Sequence, residues 1–513
     1  MLTVCLLILT LIIGVLIALI LLSHRHNINY WRKKGLVSYV KPVPFFGNFY
    51  SMTFKKQSIT DFTKEIYNSF PEAKYTGMLQ FNLPTLVLRD PELIKDVCIK
   101  NFEHFTDHRN FVPEDADPLF GRMVFFLKGE KWREMRNTLT PSFTGSKMKF
   151  LFELISKCSN DFVQYFLKHP NEASSVEMKD TFTRYATDII ATTAFGITVN
   201  SMENRDNEFF QRGKEAVDFN SVTRLIKIIA LTMFTNIMKF IGEPIMSRST
   251  TRFFLNIVRE TIKIRNEKNI TRPDMIHLLM KASNTEKGEK MSINDIAAQG
   301  LIFFLAGFST SATVMGFIVH ELAINTKIQE KLRKEIDHFT EEGEITYDTL
   351  FKMKYLDMVL SETLRKYPAN GMIDRVCVKS FTLPKATNDS EEFLVEPDTI
   401  LWLPIYALHH DPKYFPDPEK FDPERFSDEN KDNINPYAYI PFGLGPRKCI
   451  GDRFALMEIK ILIVHLLQNF VIEREERTKH PIVFEKNFLV IPDGDAWVKF
   501  EKRTDKIHHN RLE

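Results

Sequence analysis

Thirteen residues near the carboxyl end, PFGLGPRKCIGDR at 441–453, constrain what this chain can fold into more than any other stretch. They set a lone cysteine, Cys449, among Gly443, Gly445, Gly451, Pro446, Arg447 and Lys448, just before the apolar-periodic run RFALMEIKILIVHLLQNF. A buried structural cysteine needs no such neighbours, and a disulfide needs a partner. Cys449 therefore reads as a metal ligand. Its thiolate would face the positive end and free backbone N–H groups of the following helix. Gly443, Gly445 and Gly451 let the backbone approach a flat group, and Arg447 could pair with a carboxylate on that group. A phosphate loop is excluded, because GxGxxG would need glycine where Lys448 stands and GxxxxGK[ST] does not occur.

A planar face, an iron and two propionates are the features of haem, so haem is the group this loop fits. The other cysteines, Cys5, Cys98, Cys158 and Cys377, are scattered, and no CxxC pair exists. That argues against zinc sites, disulfide frameworks and the CxxCH attachment of c-type haem, and implies a reducing compartment. Charge is nearly balanced, with 68 basic and 66 acidic residues for a net +2, which argues against a nucleic-acid partner. The 44 phenylalanines are consistent with a wide apolar interior.

At the other end, residues 2–22 are 21 consecutive uncharged, mostly apolar residues. At about 1.5 Å of rise each they could cross a hydrocarbon core of ~30 Å. Nothing basic precedes the run, whereas Arg25, Arg32, Lys33 and Lys34 follow it. The expectation is an uncleaved, single-pass anchor at 1–22, with the bulk of the chain in the cytoplasm. A basic and Pro-rich linker at 23–47, ending in KPVPFFG, would lead to a catalytic domain at 48–513. Residues 296–319 are also uncharged over 24 positions, which keeps a second crossing open. Gln299, Ser309, Thr310, Ser311 and Thr313 make them wetter than the first run, and Ser292 with Asp295 resembles a capping box, which favours a long helix in a soluble core. The apolar stretch 221–246 reads as a helix or loop dipping into the membrane surface.

The rest of the chain reads as mainly α with a minor β part. Residues 75–89 look like short strands around an N-L-P turn, and 131–380 is mostly helical. The helix of SETLRKYP ends near Pro368, and 369–440 is Pro/Asp-rich and irregular. NFLVIPDGDAWVKFEKR looks like a terminal hairpin turning at Asp493-Gly494.

The pattern F-G-x-G-x-R-x-C-x-G, filled by Phe442, Gly443, Gly445, Arg447, Cys449 and Gly451, resembles the haem-thiolate signature of the cytochrome P-450 superfamily. The resemblance covers nearly the whole chain. It implies a P-450-type haem-thiolate fold with a long central helix, and haem b ligated axially by the Cys449 thiolate. In that family the thiolate pushes electron density onto iron and favours O–O cleavage. ETLR and PERF match the family's structural triad, implying that role for Glu362, Arg365 and Arg425. WREMR resembles WxxxR, implying that Trp132 and Arg136 lie near a propionate, and Arg375 matches a propionate-binding arginine. HHDPKYFPDPEKFDPERF and RPDM resemble the microsomal, arthropod xenobiotic-metabolising branch.

AGFST at 306–310 matches (A/G)Gx(D/E)T on the long helix. Gly307 would leave room for dioxygen, and Thr310 would help deliver protons. The usual acid before that threonine is missing, and Ser309 stands in its place; a hydroxyl can pass a proton but holds no charge at neutral pH. The resemblance implies a monooxygenase inserting oxygen into an apolar small molecule, with electrons from an NADPH reductase, cytochrome b5 as a candidate second donor, and residence in the endoplasmic reticulum membrane. Lys128, Lys131, Arg133 and Lys448 could form a docking face or be scattered solvated charges. By the same analogy the pocket draws on Phe111, Phe120, Phe303, Phe304, Phe308, Met372, Ile373 and Leu489, which would serve equally as core. The Ser309 departure keeps a reductase-independent isomerase or dehydratase open. A non-catalytic haem protein and a multi-pass membrane protein without haem also stay open.

Overall fold

The computed structural model describes residues 14, 29–44, 46–110, 112, 117, 119–218, 223, 224, 226, 227, 230, 235–242, 245–272, 274–283, 291–341, 343–494 and 496–504. The 2–22 run, apart from Gly14, lies outside them, as do Phe111 and part of 221–246. The longer helices are α1 (Ile59–Asn68), α2 (Gly129–Leu139), α3 (Gly145–Lys168), α4 (Met178–Ile190), α5 (Glu208–Val217) and α6 (Arg248–Lys268). They continue with α7 (Met275–Ser283), α8 (Ile293–Ile324), α9 (Thr326–Thr340), α10 (Lys354–Lys366) and α11 (Asp452–Asn469).

The 296–319 stretch forms the middle of α8, a single helix of 32 residues. Its start is the expected capping box: the Ser292 hydroxyl accepts the Asp295 N–H at 3.2 Å, and the Asp295 carboxylate accepts the Ser292 N–H at 2.8 Å. A helix that is apolar on most sides has to be covered on most sides. Among the described helices α8 alone is long and apolar enough to cross a membrane, but α4, α6, α10 and α11 pack around it. The second crossing is therefore replaced by burial in the core, which continues through α3, α4 and α11.

The β part is small. Strands β1 (Tyr75–Gln80), β2 (Leu83–Leu88), β4 (Ile373–Val376) and β7 (Ile400–Leu403) form one sheet in the order β1-β2-β7-β4, with β2 and β7 parallel. β3 (Val176–Glu177), β9 (Trp497–Lys502) and β8 (Phe470–Arg474) form a second, and β5 (Phe381–Leu383) pairs β6 (Phe393–Val395). Three local expectations change. The first hairpin turns at Phe81-Asn82 rather than N-L-P, because Gln80 already pairs with Leu83 and Phe81 takes the left-handed φ of 56°. The 369–440 region is not wholly irregular: it carries β4 to β7. The terminal hairpin does not form at Asp493-Gly494; β9 pairs instead with β8, far upstream, while 483–485 meets 491–493.

Residues 30–40 are bound into the fold. Trp31 is 1% exposed and its indole N–H donates to Met78 O at 3.0 Å, while Tyr39 bridges to Gly77 of β1.

Candidate active site

The cysteine loop is shaped by two left-handed glycines. Gly443 and Gly445 both have φ of 76°, which side chains rarely adopt. A Cβ at Gly443 would lie 2.8 Å from Ile373 Cδ1, and one at Gly445 would strike the Cys98 carbonyl. The Cys449 N–H donates to Phe442 O at 2.9 Å, closing the loop. Gly451 has an ordinary φ of −95° and is the N-cap of α11, where no side chain caps the helix end. Its role differs from that of the other two: its N–H serves the Cys449 sulfur. Burial pushes the Cys449 thiol up; the Gly451 N–H, Arg136 and Lys448 oppose this. Cys449 is at once densely surrounded and accessible, because its open side faces a cavity rather than bulk water.

That cavity, of about 330 Å³, lies between α8 and the α11 loop. Phe442, Gly443, Arg447, Cys449, Gly451 and Phe454 line one side; Phe303, Ala306, Gly307, Thr310 and Ser311 of α8 line another. Trp132, Arg136, His108, Phe125 and Ile373 complete the rim. Among the described cysteines, Cys449 alone reaches it.

Cations crowd one edge. Arg447 is buried, with its guanidinium carbon 4.0 Å from the Trp132 ring centroid. It donates to Thr106 O at 2.7 Å and Leu127 O at 2.8 Å, and its nearest carboxylate oxygen is Asp107 Oδ1 at 3.4 Å. Burial pushes this guanidinium down to about 9; Asp107 opposes, and Arg375 and Arg136 add to the drop. Arg136 donates to Lys448 O at 2.8 Å, tying α2 to the cysteine loop. Arg375 is fully buried on β4; it donates to Asp374 O and Leu444 O, while its Nε meets no acceptor. Arg136 and Arg447 line the cavity with Cys449, and Arg375, bonded to the same loop at Leu444 O, carries an orphaned buried N–H; such a set fits a flat group carrying carboxylate arms. The donor set therefore fits haem.

On α8, the Thr310 hydroxyl donates to Ala306 O at 2.5 Å, leaving its lone pairs for a donor in the cavity. A Cβ on Gly307 would lie 2.5 Å from Ile190 Cδ1, so this glycine admits α4 as well as facing the cavity. Ser309 is half-buried and off the cavity wall.

Behind the loop, Glu362 and Arg365 form a fully buried fork, with Nε to Oε2 at 2.7 Å and Nη2 to Oε1 at 2.8 Å. Glu362 Oε1 also accepts the Asp422 N–H at 2.9 Å and faces Arg425 Nε at 3.5 Å. Arg365 donates to His409 O at 3.0 Å, and His409 Nε2 accepts the Ile440 N–H at 3.0 Å. The three residues of ETLR and PERF thus tie α10 to the segment that enters the cysteine loop.

Several expected residues lie elsewhere. Phe304 and Phe308 pack with Phe195, Phe209, Phe210 and Phe254, so they are core between α8, α5 and α6 rather than cavity wall. Phe120, Met372 and Leu489 also stand off the wall, whereas Phe303 and Ile373 line it. Arg133 is engaged by Glu103 at 2.5 Å and Lys448 by Asp452 at 3.1 Å, while Lys128 and Lys131 are exposed. Sequence reasoning missed His108, which stacks on Phe125 and donates from Nδ1 to Asp374 Oδ1 at 3.0 Å. Burial lowers the His108 pKa; Asp374 opposes. It also missed the clamp made by RPDM, where Asp274 receives both Arg265 nitrogens at 2.7 and 2.5 Å.

A cavity whose lining holds one described cysteine together with Arg136 and Arg447 is the site of a haem-thiolate protein. The chain belongs to the cytochrome P450 family, whose model matches residues 38–500. It is similar to cytochrome P450 9e2 of Blattella germanica, 44% identical over 96% of this chain and 97% of the relative. It is also similar to probable cytochrome P450 9f2 of Drosophila melanogaster, 38% identical over 93% and 96%, and to cytochrome P450 6j1 of Blattella germanica, 36% identical over 95% and 96%. Membership makes the chain a haem-thiolate monooxygenase with haem b on a cysteine thiolate.

Proposed function

We propose that this monooxygenase is held in the endoplasmic reticulum membrane by residues 1–22, faces the cytoplasm, and inserts one oxygen atom into apolar small molecules, xenobiotics or endogenous lipophiles. An NADPH-dependent flavoprotein reductase supplies two electrons, and cytochrome b5 is a second donor. Cys449 is the axial ligand. Trp132, Arg136, Arg375 and Arg447 hold the propionates, with Phe442 and Gly451 shaping the sulfur side. Glu362, Arg365 and Arg425 hold the loop behind it.

Bound haem supplies dioxygen activation, helped by the thiolate's electron donation. The chain supplies the rest. The three guanidiniums fix the orientation of the cofactor through its carboxylate arms, Phe303 and Phe125 keep the cavity apolar, and Thr310 offers an acceptor and a movable proton at the α8 wall. The observation that carries this reading is that Cys449 and Thr310 stand on two walls of one cavity that Arg136 and Arg447 also line. The test is NADPH consumption and oxygen uptake on a panel of apolar compounds, with and without reductase. Reductase-dependent product formation is expected; turnover that ignores reductase would contradict it.

A further inference from the structure

Asparagine is followed by glycine at one place in this chain, Asn370-Gly371, and Asn370 stands on the cavity wall. The pair lies between α10 and β4, in neither helix nor strand. Asn370 is exposed as well as lining the cavity, so water that enters the cavity reaches its amide. Among the described residues its side chain makes no hydrogen bond, and neither does the Gly371 N–H. Gly371 is held through its carbonyl, which accepts the Tyr406 N–H at 2.9 Å.

The two Asn-Ser pairs among the described residues are guarded by contrast. At Asn200-Ser201 the Ser201 N–H donates to both Asp188 oxygens, at 3.1 and 3.0 Å, and Asn200 Oδ1 accepts the Glu203 N–H at 3.1 Å. At Asn68-Ser69 the asparagine ends α1, and the Ser69 N–H donates to Ile66 O at 3.3 Å. At 370 nothing holds the reacting groups apart. The nitrogen after an asparagine closes a five-membered ring when it attacks the side-chain amide carbon, and a glycine there puts no Cβ in its way. The attack is intramolecular, so it needs no bound partner.

We propose that Asn370 is a deamidation site, through which the protein ages from an amide to a carboxylate on its cavity wall. The Gly371 N–H gives its proton to water, and the nitrogen bonds to Asn370 Cγ. The Cγ–Nδ2 bond breaks, and ammonia leaves carrying a proton returned by water. Water then opens the ring imide at one of its two carbonyls, leaving aspartate or isoaspartate at 370. Water is the only co-reactant, and nothing is oxidised or reduced. An aspartate, with an ordinary pKa of about 3.9, is ionised at neutral pH and holds water against the wall. In isoaspartate the chain runs through Cβ and is one atom longer just before β4. There Ile373 lines the cavity, and Asp374 holds His108 and the Arg109 N–H. Both products weaken the binding of an apolar molecule. That consequence rests on the monooxygenase reading; the chemistry at 370 does not.

The test uses full-length, haem-loaded protein, fresh and after warm incubation at mildly alkaline pH. Peptide mapping by mass spectrometry should find the amide-to-acid mass gain at Asn370 before it appears at Asn200 or Asn68. Part of that product should be a substrate for an isoaspartyl methyltransferase. Gly371→Ala should slow the conversion strongly. An amide retained at 370 in wild type would overturn the proposal, and so would equal conversion in Gly371→Ala. The wild-type map decides alone if Gly371→Ala, whose Cβ would lie 3.3 Å from Ile59 Cγ2, fails to load haem. The second arm titrates phenylimidazole by its haem absorbance shift. Affinity should fall roughly tenfold in incubated wild type and in fresh Asn370→Asp, about 1.4 kcal/mol. Incubated Asn370→Gln, whose amide would have to close a larger ring, should bind as it does when fresh. Equal affinity before and after conversion overturns the effect on binding; a fresh wild type without the thiolate spectrum overturns the haem-thiolate reading instead.

Discussion

Arg447 lies over the face of Trp132, its guanidinium carbon 4.0 Å from the ring centroid. The two residues come from the cysteine loop and from α2, more than three hundred positions apart. The stacking fixes the plane of a guanidinium whose Nε and Nη2 groups bond Thr106, Leu127 and Asp107. A desolvated cation–π contact is worth about 2 kcal/mol. Trp132→Ala should therefore loosen haem by roughly tenfold in its dissociation rate, with Trp132→Phe in between. Haem transfer to a scavenging apoprotein measures this; equal rates in all three proteins would show that the stacking does not hold the cofactor.

Gly307 and Ile190 make a second testable contact. A methyl at Gly307 would lie 2.5 Å from Ile190 Cδ1, and overpacking of this kind costs about 1–3 kcal/mol. Gly307→Ala should lower the midpoint of thermal unfolding, and adding Ile190→Val should recover part of the loss. If the second change brought no recovery, the glycine would be serving something other than helix packing.

How much of this was legible in the sequence depended on how local each signal was. The cysteine loop and the capping box at Ser292 are carried by residues within one or two turns of one another, so spacing exposes them; the ETLR fork is equally local, but spacing shows only an ion pair on a helix face, and its buried role comes from the family resemblance. His108 and Asp374 are 266 positions apart and carry no such signal. The strand Trp497–Lys502 pairs with Phe470–Arg474 rather than across Asp493-Gly494, because register is decided by a distant partner. Phe304 and Phe308 share a helix with wall residues, but their faces point at α5 and α6, which helical spacing could have separated from 303, 306, 307 and 310.

His409 gives the pH dependence. Its Nδ1 donates to Arg365 O at 3.2 Å while Nε2 accepts the Ile440 N–H, so the ring is neutral and one tautomer. Burial pushes its pKa down to about 3, with Arg365 adding to the drop. The unfolded chain takes up a proton below about 6.5 that the folded chain refuses. This group's contribution is thus intact above 6.5 and is lost as pH falls toward 3, by up to about 1.4 kcal/mol per unit. In urea titrations from pH 7 to pH 5, wild type should lose more stability than His409→Gln, which keeps an acceptor for Ile440. Parallel losses would contradict the assignment.

Asn269-Ile270-Thr271 and Asn388-Asp389-Ser390 are glycosylation sequons with exposed asparagines, so topology rather than access decides their use. In the proposed orientation, with the chain beyond residue 22 in the cytoplasm, neither should carry glycan, and endoglycosidase treatment of the native membrane protein should leave its mobility unchanged. A shift would contradict the proposed orientation.

The most direct test of the whole account is the spectrum of the reduced, carbon monoxide-bound protein. Cys449 is the one described cysteine on the cavity wall, at the N-terminus of α11. Wild type should show the red-shifted Soret band of thiolate ligation, and Cys449→Ala should lose it, while Cys98→Ala and Cys377→Ala keep it. A thiolate band that survived Cys449→Ala would contradict the account.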